Sequence, residues 1–308
     1  MTSTNVTNSD DGQAASSYEL AAIREIHAWK NPKASWFDQT LSYLNKPLDR
    51  AGGVVFSAPG VGPVITSSIK GLVELCNDLA QWSVSRETIY AELRKHGHDI
   101  QALDDIARLD LEEIDRVVGW LSTKYKSLTA ASGAGAGMAG LLGIPPDIVA
   151  LITLNLRGIG EYATYYGFDL SSQEERLFAM NVLGLASSPT DASKCVAMAQ
   201  LVRIAQDVAR KRTWSHLQQH SFVKVTQSIA KALGIRLTKA KLAQVVPLSG
   251  ALIGGGFNSY FTSKVCNAAS NLYRERFLAR KYGADVIEVT VAPADDFDPH
   301  YPEESEVP

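Results

Sequence analysis

The sequence predicts an all-α protein built as a single multi-helix domain. Apolar residues recur every three or four positions in several segments, which is the period of a helix with one buried face. Prolines and glycines stand where these segments end. Only residues 286–291, VIEVTV, alternate as a strand does, and one strand cannot form a sheet. A chain of 308 residues with 45% apolar residues can bury a core of this kind.

The N-terminal part of the domain contains three predicted helices. The first covers residues 18–30 and ends before Pro32, because the residue preceding a proline is pushed out of the helical region. A short aromatic helix follows and ends before Pro47. Beyond Pro63 the apolar residues recur at steps of four and three, which predicts an amphipathic helix of about five turns.

The middle of the chain contains the helix that we expect to be most buried. A helix at 86–96 precedes another that begins at Asp110, where Glu113 completes the spacing of a capping box, and that extends to Tyr125. The following helix, 147–166, is apolar on every side as far as Leu156 and therefore belongs at the centre.

The C-terminal part adds a helix at 172–186, a basic helical stretch at 192–241 and a last helix that ends at Gly283. We expect residues 1–17 to be disordered, residues 18–283 to form the helical domain and residues 284–308 to form an acidic tail.

Three runs of the chain, 51–69, 127–146 and 242–263, contain no charged residue. Each is long enough to cross a bilayer, but each contains proline, glycine and polar residues. We therefore predict buried or interfacial helical hairpins in which small residues permit close packing. The glycines assigned this structural role are Gly133, Gly137, Gly140, Gly250 and Gly254.

Charge is strongly segregated along the chain. Residues 1–191 have a balance of −8, whereas residues 192–283 contain 15 basic and two acidic side chains. Basic helices beside an apolar glycine-rich run suit an anionic membrane surface or an acidic protein. The same charges can also form a solvated face that balances the acidic half. No motif for nucleic acid is present. The candidate membrane- or anion-binding residues are Arg210, Lys211, Arg212, Lys224, Lys231, Arg236, Lys239 and Lys241.

Asp147, Arg157 and Glu161 are the only charges between Lys126 and Asp169. Because buried charge is costly without a partner, we expect them to be capped or paired, Arg157 with Glu161 one turn away. These three residues are also candidates for a functional site. They could act as a general acid or base in catalysis, or form a pocket that binds a lipid headgroup.

Sequence motifs for cofactors and metals are weak. Residues 135–140 match G-x-G-x-x-G, but a helix and not a strand precedes them, so a dinucleotide is not expected. His216 and His220 share a helix face but have no third ligand, and no metal is assigned. Three widely spaced cysteines and a polar N-terminus without an apolar segment predict a cytoplasmic protein, or one on the inner membrane face.

Several motifs in order along residues 20–283 resemble the EcsC family. They are the segment from Trp29 to Pro47, Ser132 to Gly143, Ile144 to Asp147, Leu156-Arg157, Tyr166 to Asp169, Glu174 to Arg176, Val246 to Ala251, Gly254 to Gly256, Asn258, Ala268-Ala269 and Arg274 to Arg276. The double proline before Asp147 departs from the family pattern. The resemblance implies a bacterial, membrane-associated or cytoplasmic protein that assists transport or secretion, because the family name comes from an operon that also encodes an ABC exporter.

Three functions follow as hypotheses. The first is a non-enzymatic accessory protein that docks on the inner membrane face beside a membrane partner. The second is a hydrolase-like enzyme with a pocket formed by Asp147, Arg157 and Glu161. The third is a soluble helical scaffold that binds an acidic protein.

Overall fold

A computed structural model describes residues 14–30, 61–77, 84–137, 140–188, 219–242 and 250–287, with short pieces at 197–198, 201–202 and 205. The regular elements of these residues are helices, which confirms the predicted all-α class. One hydrophobic core extends through them. The aromatic helix predicted before Pro47 and most of the basic stretch at 192–218 lie outside the described residues.

The α-helices are labelled in chain order. They are α1 (Ser17–Lys30), α2 (Val61–Asn77), α3 (Arg86–Lys95), α4 (Leu103–Ile106), α5 (Leu111–Val118), α6 (Leu121–Gly137), α7 (Ile144–Tyr165), α8 (Gln173–Ala186), α9 (Gln219–Leu242) and α10 (Gly250–Tyr282). Two 3₁₀ turns, Gly140–Gly143 and Ala284–Val286, complete the described elements.

The predicted helix from Asp110 to Tyr125 is two helices. Gly119 and Trp120 form a turn between α5 and α6, where a glycine weakens the helix. The predicted capping box does not form, since the Asp110 side chain makes no capping hydrogen bond. That carboxylate instead lies 3.2 Å from the Lys281 ammonium.

Helix α7 is the central helix that its apolar composition predicts. It begins at Ile144 rather than 147, because the two prolines fit the first turn of a helix, where the missing N–H groups are not needed. Its last residue is Tyr165, and Gly167, the glycine predicted to stop the helix, follows two residues later with a φ of +81° that favours glycine.

Two of the uncharged runs pack against each other instead of folding separately into hairpins. Run 127–146 forms the end of α6, a 3₁₀ turn and the start of α7, and residues 250–263 form the start of α10. Helices α6 and α10 are antiparallel and pack more extensively than any other described pair. A Cβ atom on Gly255 would lie 2.8 Å from the Ala130 carbonyl oxygen, which shows how closely the backbones approach.

The predicted structural glycines lie in or next to this contact. Gly133 is buried in α6 and Gly137 is its last residue. Gly140 begins the 3₁₀ turn, and Gly250 and Gly254 lie at the start of α10.

The C-terminal half of α10 pairs with helices from the whole domain through five charged residues, here called the charged row. Lys30 of α1 pairs with Glu275, and Arg276 pairs with Glu175 of α8. The full row is Arg274, Glu275, Arg276, Arg280 and Lys281, with partners on α1, α4, α5, α8 and the loop before α5.

The chain after α10 is folded for a few residues beyond the predicted domain end. Residues 284–287, assigned to the acidic tail, contain a 3₁₀ turn with Val286 and Ile287 buried. The start of the predicted strand at 286–291 is thus part of this turn, and residues 288–291 lie outside the described residues. Within the described residues, no helix combines the length and the apolar character that crossing a membrane requires.

Candidate functional site

Asp147, the first of the predicted site residues, belongs to a buried polar cluster with Lys241 and Asn258. The Lys241 ammonium donates to one Asp147 oxygen and, at 2.7 Å, to the Asn258 amide oxygen. The Asn258 amide donates to the other Asp147 oxygen at 3.0 Å. Burial lowers the pKa of Lys241, and the bond to Asp147 opposes that effect. The cluster joins α7, α9 and α10, and both of its charges have partners inside the protein.

Arg157 and Glu161 do not join this cluster. Arg157 is exposed, and both Glu161 oxygens lie 2.7 Å from the Lys124 ammonium of α6. Fourteen residues separate Asp147 from Glu161, which is about 21 Å along a helix. The three residues therefore do not form one pocket, and Glu161 pairs with Lys124.

The basic residues predicted to bind a membrane or an anion have different surroundings. Lys231 is exposed and Arg236 is half-buried, whereas Lys241 is buried and cannot contact a surface. The prediction for Lys241 is corrected on this point, because its sequence neighbours gave no sign of the buried Asp147. Arg210, Lys211, Arg212 and the side chains of Lys224 and Lys239 lie outside the described residues.

Metal-ligating residues do not cluster in the part of the chain that the structure describes. His216 and the His220 side chain lie outside that part.

A polar cleft of about 430 Å³, which the sequence does not predict, opens between α1, α5, α6, α7 and α10. Most of the residues that line it carry a hydroxyl, amide, thiol or charged group, and apolar atoms make up the rest of its surface. The lining residues are Tyr18, Glu25, Asp115, Val118, Gly119, Ser122, Tyr162, Tyr166, Ser263, Cys266, Asn267, Ser270 and Arg274.

Asp115 is the centre of one wall of the polar cleft. It accepts hydrogen bonds from the Tyr18 hydroxyl at 2.8 Å and from the Tyr166 hydroxyl at 2.6 Å. The Arg274 Nε atom lies 2.9 Å from the same carboxylate. Burial raises the pKa of Asp115 above its ordinary value, although Arg274 and the two tyrosines oppose that effect. Three other elements thus hold this carboxylate in a fixed position.

Cys266 also lines the cleft, together with Ser122 and Tyr162. Burial raises the pKa of the Cys266 thiol to about 11, against hydrogen bonds from Ser122 and Tyr162. Burial also raises the pKa of Tyr162. At neutral pH the thiol is therefore protonated and is not an activated nucleophile. This wall is suited to binding rather than to covalent chemistry.

The sequence contains one signal of the polar cleft. Ser263, Asn267, Ser270 and Arg274 recur at steps of four, three and four, which places them on one face of a helix. A polar stripe on an otherwise buried helix indicates a solvent-filled or ligand-filled surface. The residues that complete the cleft come from other helices, and no local pattern connects them to the stripe.

The chain is similar to known proteins over most of its length. The model of the EcsC protein family matches residues 21–278. The uncharacterized protein YdbA of Bacillus subtilis (strain 168) is 24% identical over 259 residues, which covers 82% of this chain and 90% of that protein. Protein EcsC of the same strain is 24% identical over 181 residues, covering 58% of this chain and 70% of EcsC. No solved structure matches the chain.

Proposed function

The chain belongs to the EcsC protein family, and we propose that it is a non-enzymatic accessory protein that docks on the inner face of a bacterial cell membrane and assists a membrane protein there. The docking surface in this proposal is the glycine-rich end of the domain, defined as residues 127–137, 140–146 and 250–258. An ABC exporter or a secretion system is the membrane partner that we propose.

One observation supports this proposal above the others: two uncharged runs from distant parts of the chain meet at one end of the domain. Leu142 lies in the 3₁₀ turn at that end, and 84% of its surface is exposed. No other large hydrophobic residue in the described part of the chain has so large an exposed fraction. Leu128 and Tyr260 are also exposed, on the α6 and α10 helices that lead to the same end. An exposed apolar tip without charge is suited to insertion between lipid headgroups.

The energies favour docking through two kinds of contact together. Burial of one leucine side chain contributes about 1.5–3 kcal/mol, which is too little for stable binding. Each basic residue near an anionic surface adds about 1 kcal/mol. Lys264 lies further along α10, with its ammonium 4.8 Å from the centre of the Tyr260 ring, and Lys231 is exposed on α9. The basic stretch before α9 adds further charge in this proposal.

The two alternative functions have less support. A hydrolase that uses Asp147, Arg157 and Glu161 would need these groups in one cavity, and they lie about 21 Å apart at the extremes. A purely soluble scaffold would enclose its glycine-rich helices, yet Gly135, Gly256 and Leu142 are exposed.

The experiment is cosedimentation of the purified chain with vesicles that contain anionic lipid. We expect binding that weakens as salt is added, because part of the attraction is electrostatic. Leu142→Asp should lower the bound fraction several-fold, since a carboxylate at the tip is repelled by the surface and resists burial.

Leu20→Asp is the matched control. Leu20 is also exposed, at 37%, but lies on α1 beside the far end of α10, a helix of 33 residues and therefore about 50 Å long. It should bind as the parent chain does. Equal loss of binding in both variants, or no binding of the parent chain, would overturn the proposal.

The membrane partner needs a separate measurement. We expect an ABC exporter or a secretion protein to be crosslinked to the chain in intact cells when the photo-crosslinker replaces Leu128, and not when it replaces Leu20. Crosslinks of equal yield from the two positions would contradict a partner at the glycine-rich end.

A further inference from the structure

We infer that the polar cleft between α1, α5, α6, α7 and α10 binds a neutral polyhydroxylated molecule, such as a sugar or a cyclic polyol. This inference does not rest on the proposed membrane function, because the cleft lies along the part of α10 that follows the glycine-rich end. Its first α10 residue, Ser263, is eight residues beyond Gly255, or about 12 Å along the helix.

The chemistry of the wall identifies the class of ligand. Six residues that line the cleft carry hydroxyl groups. They are Tyr18, Ser122, Tyr162, Tyr166, Ser263 and Ser270. The hydroxyls of Tyr18 and Tyr166 donate to Asp115 and can still accept from a ligand, whereas a serine hydroxyl can donate to a ligand or accept from it. Asn267 adds an amide with the same double capacity. Ligand hydroxyls can donate to these groups or accept from them, whereas an apolar ligand would leave each group that lacks a protein partner unsatisfied, at a cost of about 1–3 kcal/mol.

The balance of charge argues for a neutral ligand. Asp115 and Arg274 are each 13% exposed in their side chains and neutralise each other inside the cleft. The remaining charge, Glu25, is 67% exposed at the rim, where water screens it, and lies 3.4 Å from Arg274. Burial raises the pKa of Tyr18 to about 12 and of Tyr166 well above its ordinary value, so both hydroxyls stay neutral. Neither an anion nor a cation meets an unpaired opposite charge inside this wall.

The wall is also fixed in advance, which lowers the entropic cost of binding. Asp115 holds Tyr18 and Tyr166 through hydrogen bonds of 2.8 and 2.6 Å, and these residues come from three different parts of the fold. The volume of about 430 Å³ is within the range of small-molecule sites, which is about 300–1,000 Å³. The cleft therefore has the size, the rigidity and the donor–acceptor pattern of a polyol site.

The test is a calorimetric and NMR titration of the full chain with three probes: myo-inositol, glucose and maltose. We expect saturable binding of at least one of them, and weaker binding of choline and inorganic phosphate as charged probes. The absence of saturable binding by all three polyols would overturn the inference, as would a charged probe that binds more tightly than they do.

Asn267→Trp places a large ring at the rim of the cleft and should weaken polyol binding at least tenfold. Asn267 is exposed, so the substitution leaves the buried wall unchanged. Asn271→Trp, one turn further along α10 and outside the cleft lining, is the matched control and should bind as the parent chain does. Equal weakening in both variants would contradict a site in the cleft.

A second arm separates a soluble polyol from the headgroup of a glycolipid. Vesicles with a glycosylated diacylglycerol should bind the chain better than vesicles without it only if the headgroup is the source, and Asn267→Trp should remove that difference. The Leu142→Asp variant separates the two proposals, because it should lose vesicle binding and keep the affinity for the soluble polyol. If Leu142→Asp loses polyol binding while its fold is intact, the independence of the two sites is wrong.

Discussion

At the scale of single residues, Arg276 shows how this fold accommodates buried charge. Its guanidinium lies between the rings of Phe168 and Phe178, at 4.1 and 4.2 Å from their centres. Two nitrogens donate to the two oxygens of Glu175, one of them at 2.6 Å. Both charges are almost fully buried, so each depends on the other. This contact gives a physical reason for Phe168, Glu175 and Arg276 in the motifs that resemble the EcsC family.

We predict that Arg276→Met destabilises the protein by about 3–5 kcal/mol, because it leaves the buried Glu175 carboxylate without its partner. The double variant Glu175→Met/Arg276→Met should recover much of that loss, since no charge is left unpaired. Urea unfolding measures both. Arg116→Ala, which removes an exposed pair with Glu112, should cost less than about 1 kcal/mol. A double variant as unstable as Arg276→Met would contradict this account.

Glu19 predicts a pH dependence of stability. Burial raises its pKa, but hydrogen bonds from Tyr282, the Ser16 N–H and Lys281 together outweigh burial and hold the pKa below its ordinary value. A carboxylate whose pKa is lower in the folded state stabilises that state above its unfolded pKa. This stabilisation is lost as the pH falls through the folded pKa.

We therefore expect Glu19→Gln to lose less unfolding free energy than the parent chain between about pH 5 and about pH 3. Urea unfolding at the two pH values measures the difference. Glu112→Gln, an exposed carboxylate with an i,i+4 partner, should leave the pH dependence as it is in the parent chain. Identical slopes for Glu19→Gln and the parent chain would show that Glu19 does not contribute.

At the scale of elements, the pairing of α6 with α10 depends on the close approach of their backbones. The Thr129 hydroxyl lies 3.4 Å from the Asn258 carbonyl oxygen, and Gly255 faces the Ala130 carbonyl. The next residue, Gly256, is exposed and has no atom within 4 Å of an added Cβ. Of these adjacent glycines, Gly255 has no space for a side chain, whereas Gly256 has space for one.

We predict opposite effects of alanine at these two positions. Gly255→Ala should destabilise the protein by about 1–2 kcal/mol, because a fixed backbone oxygen cannot rotate away from the new methyl group. Gly256→Ala should stabilise it by about 0.5–1 kcal/mol, since alanine favours the helix and meets no neighbour. Thermal or urea unfolding of the two variants gives the comparison. Stabilisation by Gly255→Ala would show that the two helices can separate without cost.

At the scale of the whole molecule, the charge segregation of the sequence is partly cancelled by the fold. Four basic residues of the charged row bond to acids within residues 1–191, and Lys241 bonds to Asp147. Ion pairs therefore join the basic segment 192–283 to the acidic segment 1–191. Because these pairs neutralise several basic residues, less positive charge is available to an external partner than the balance of +13 for residues 192–283 indicates.

The charged row also explains why the two halves form one helical domain. Helix α10 extends from the glycine-rich end to the far end of the domain, where Lys281 and Tyr282 bond to Glu19 of α1. A single long helix with partners on α1, α4, α5 and α8 connects elements that are more than 100 residues apart in the chain. The last helix, α10, thus connects the N-terminal, middle and C-terminal helices of the domain.

By itself, the sequence determined the helices and most of their ends. Helix signals act within a few residues, so they can be recognised in a local stretch of sequence. They are the apolar periodicity, the prolines before Asp147 and the glycine at position 167, whose φ is positive in the structure. The tertiary structure alone decided the partners of the charges, the burial of Lys241 and the existence of the polar cleft. Tyr18, Asp115 and Arg274 meet because three helices pack together, and contacts between residues so far apart leave no local period to detect. The sequence could place Asp115 on a helix face, but only packing could turn that face towards Arg274 and away from water.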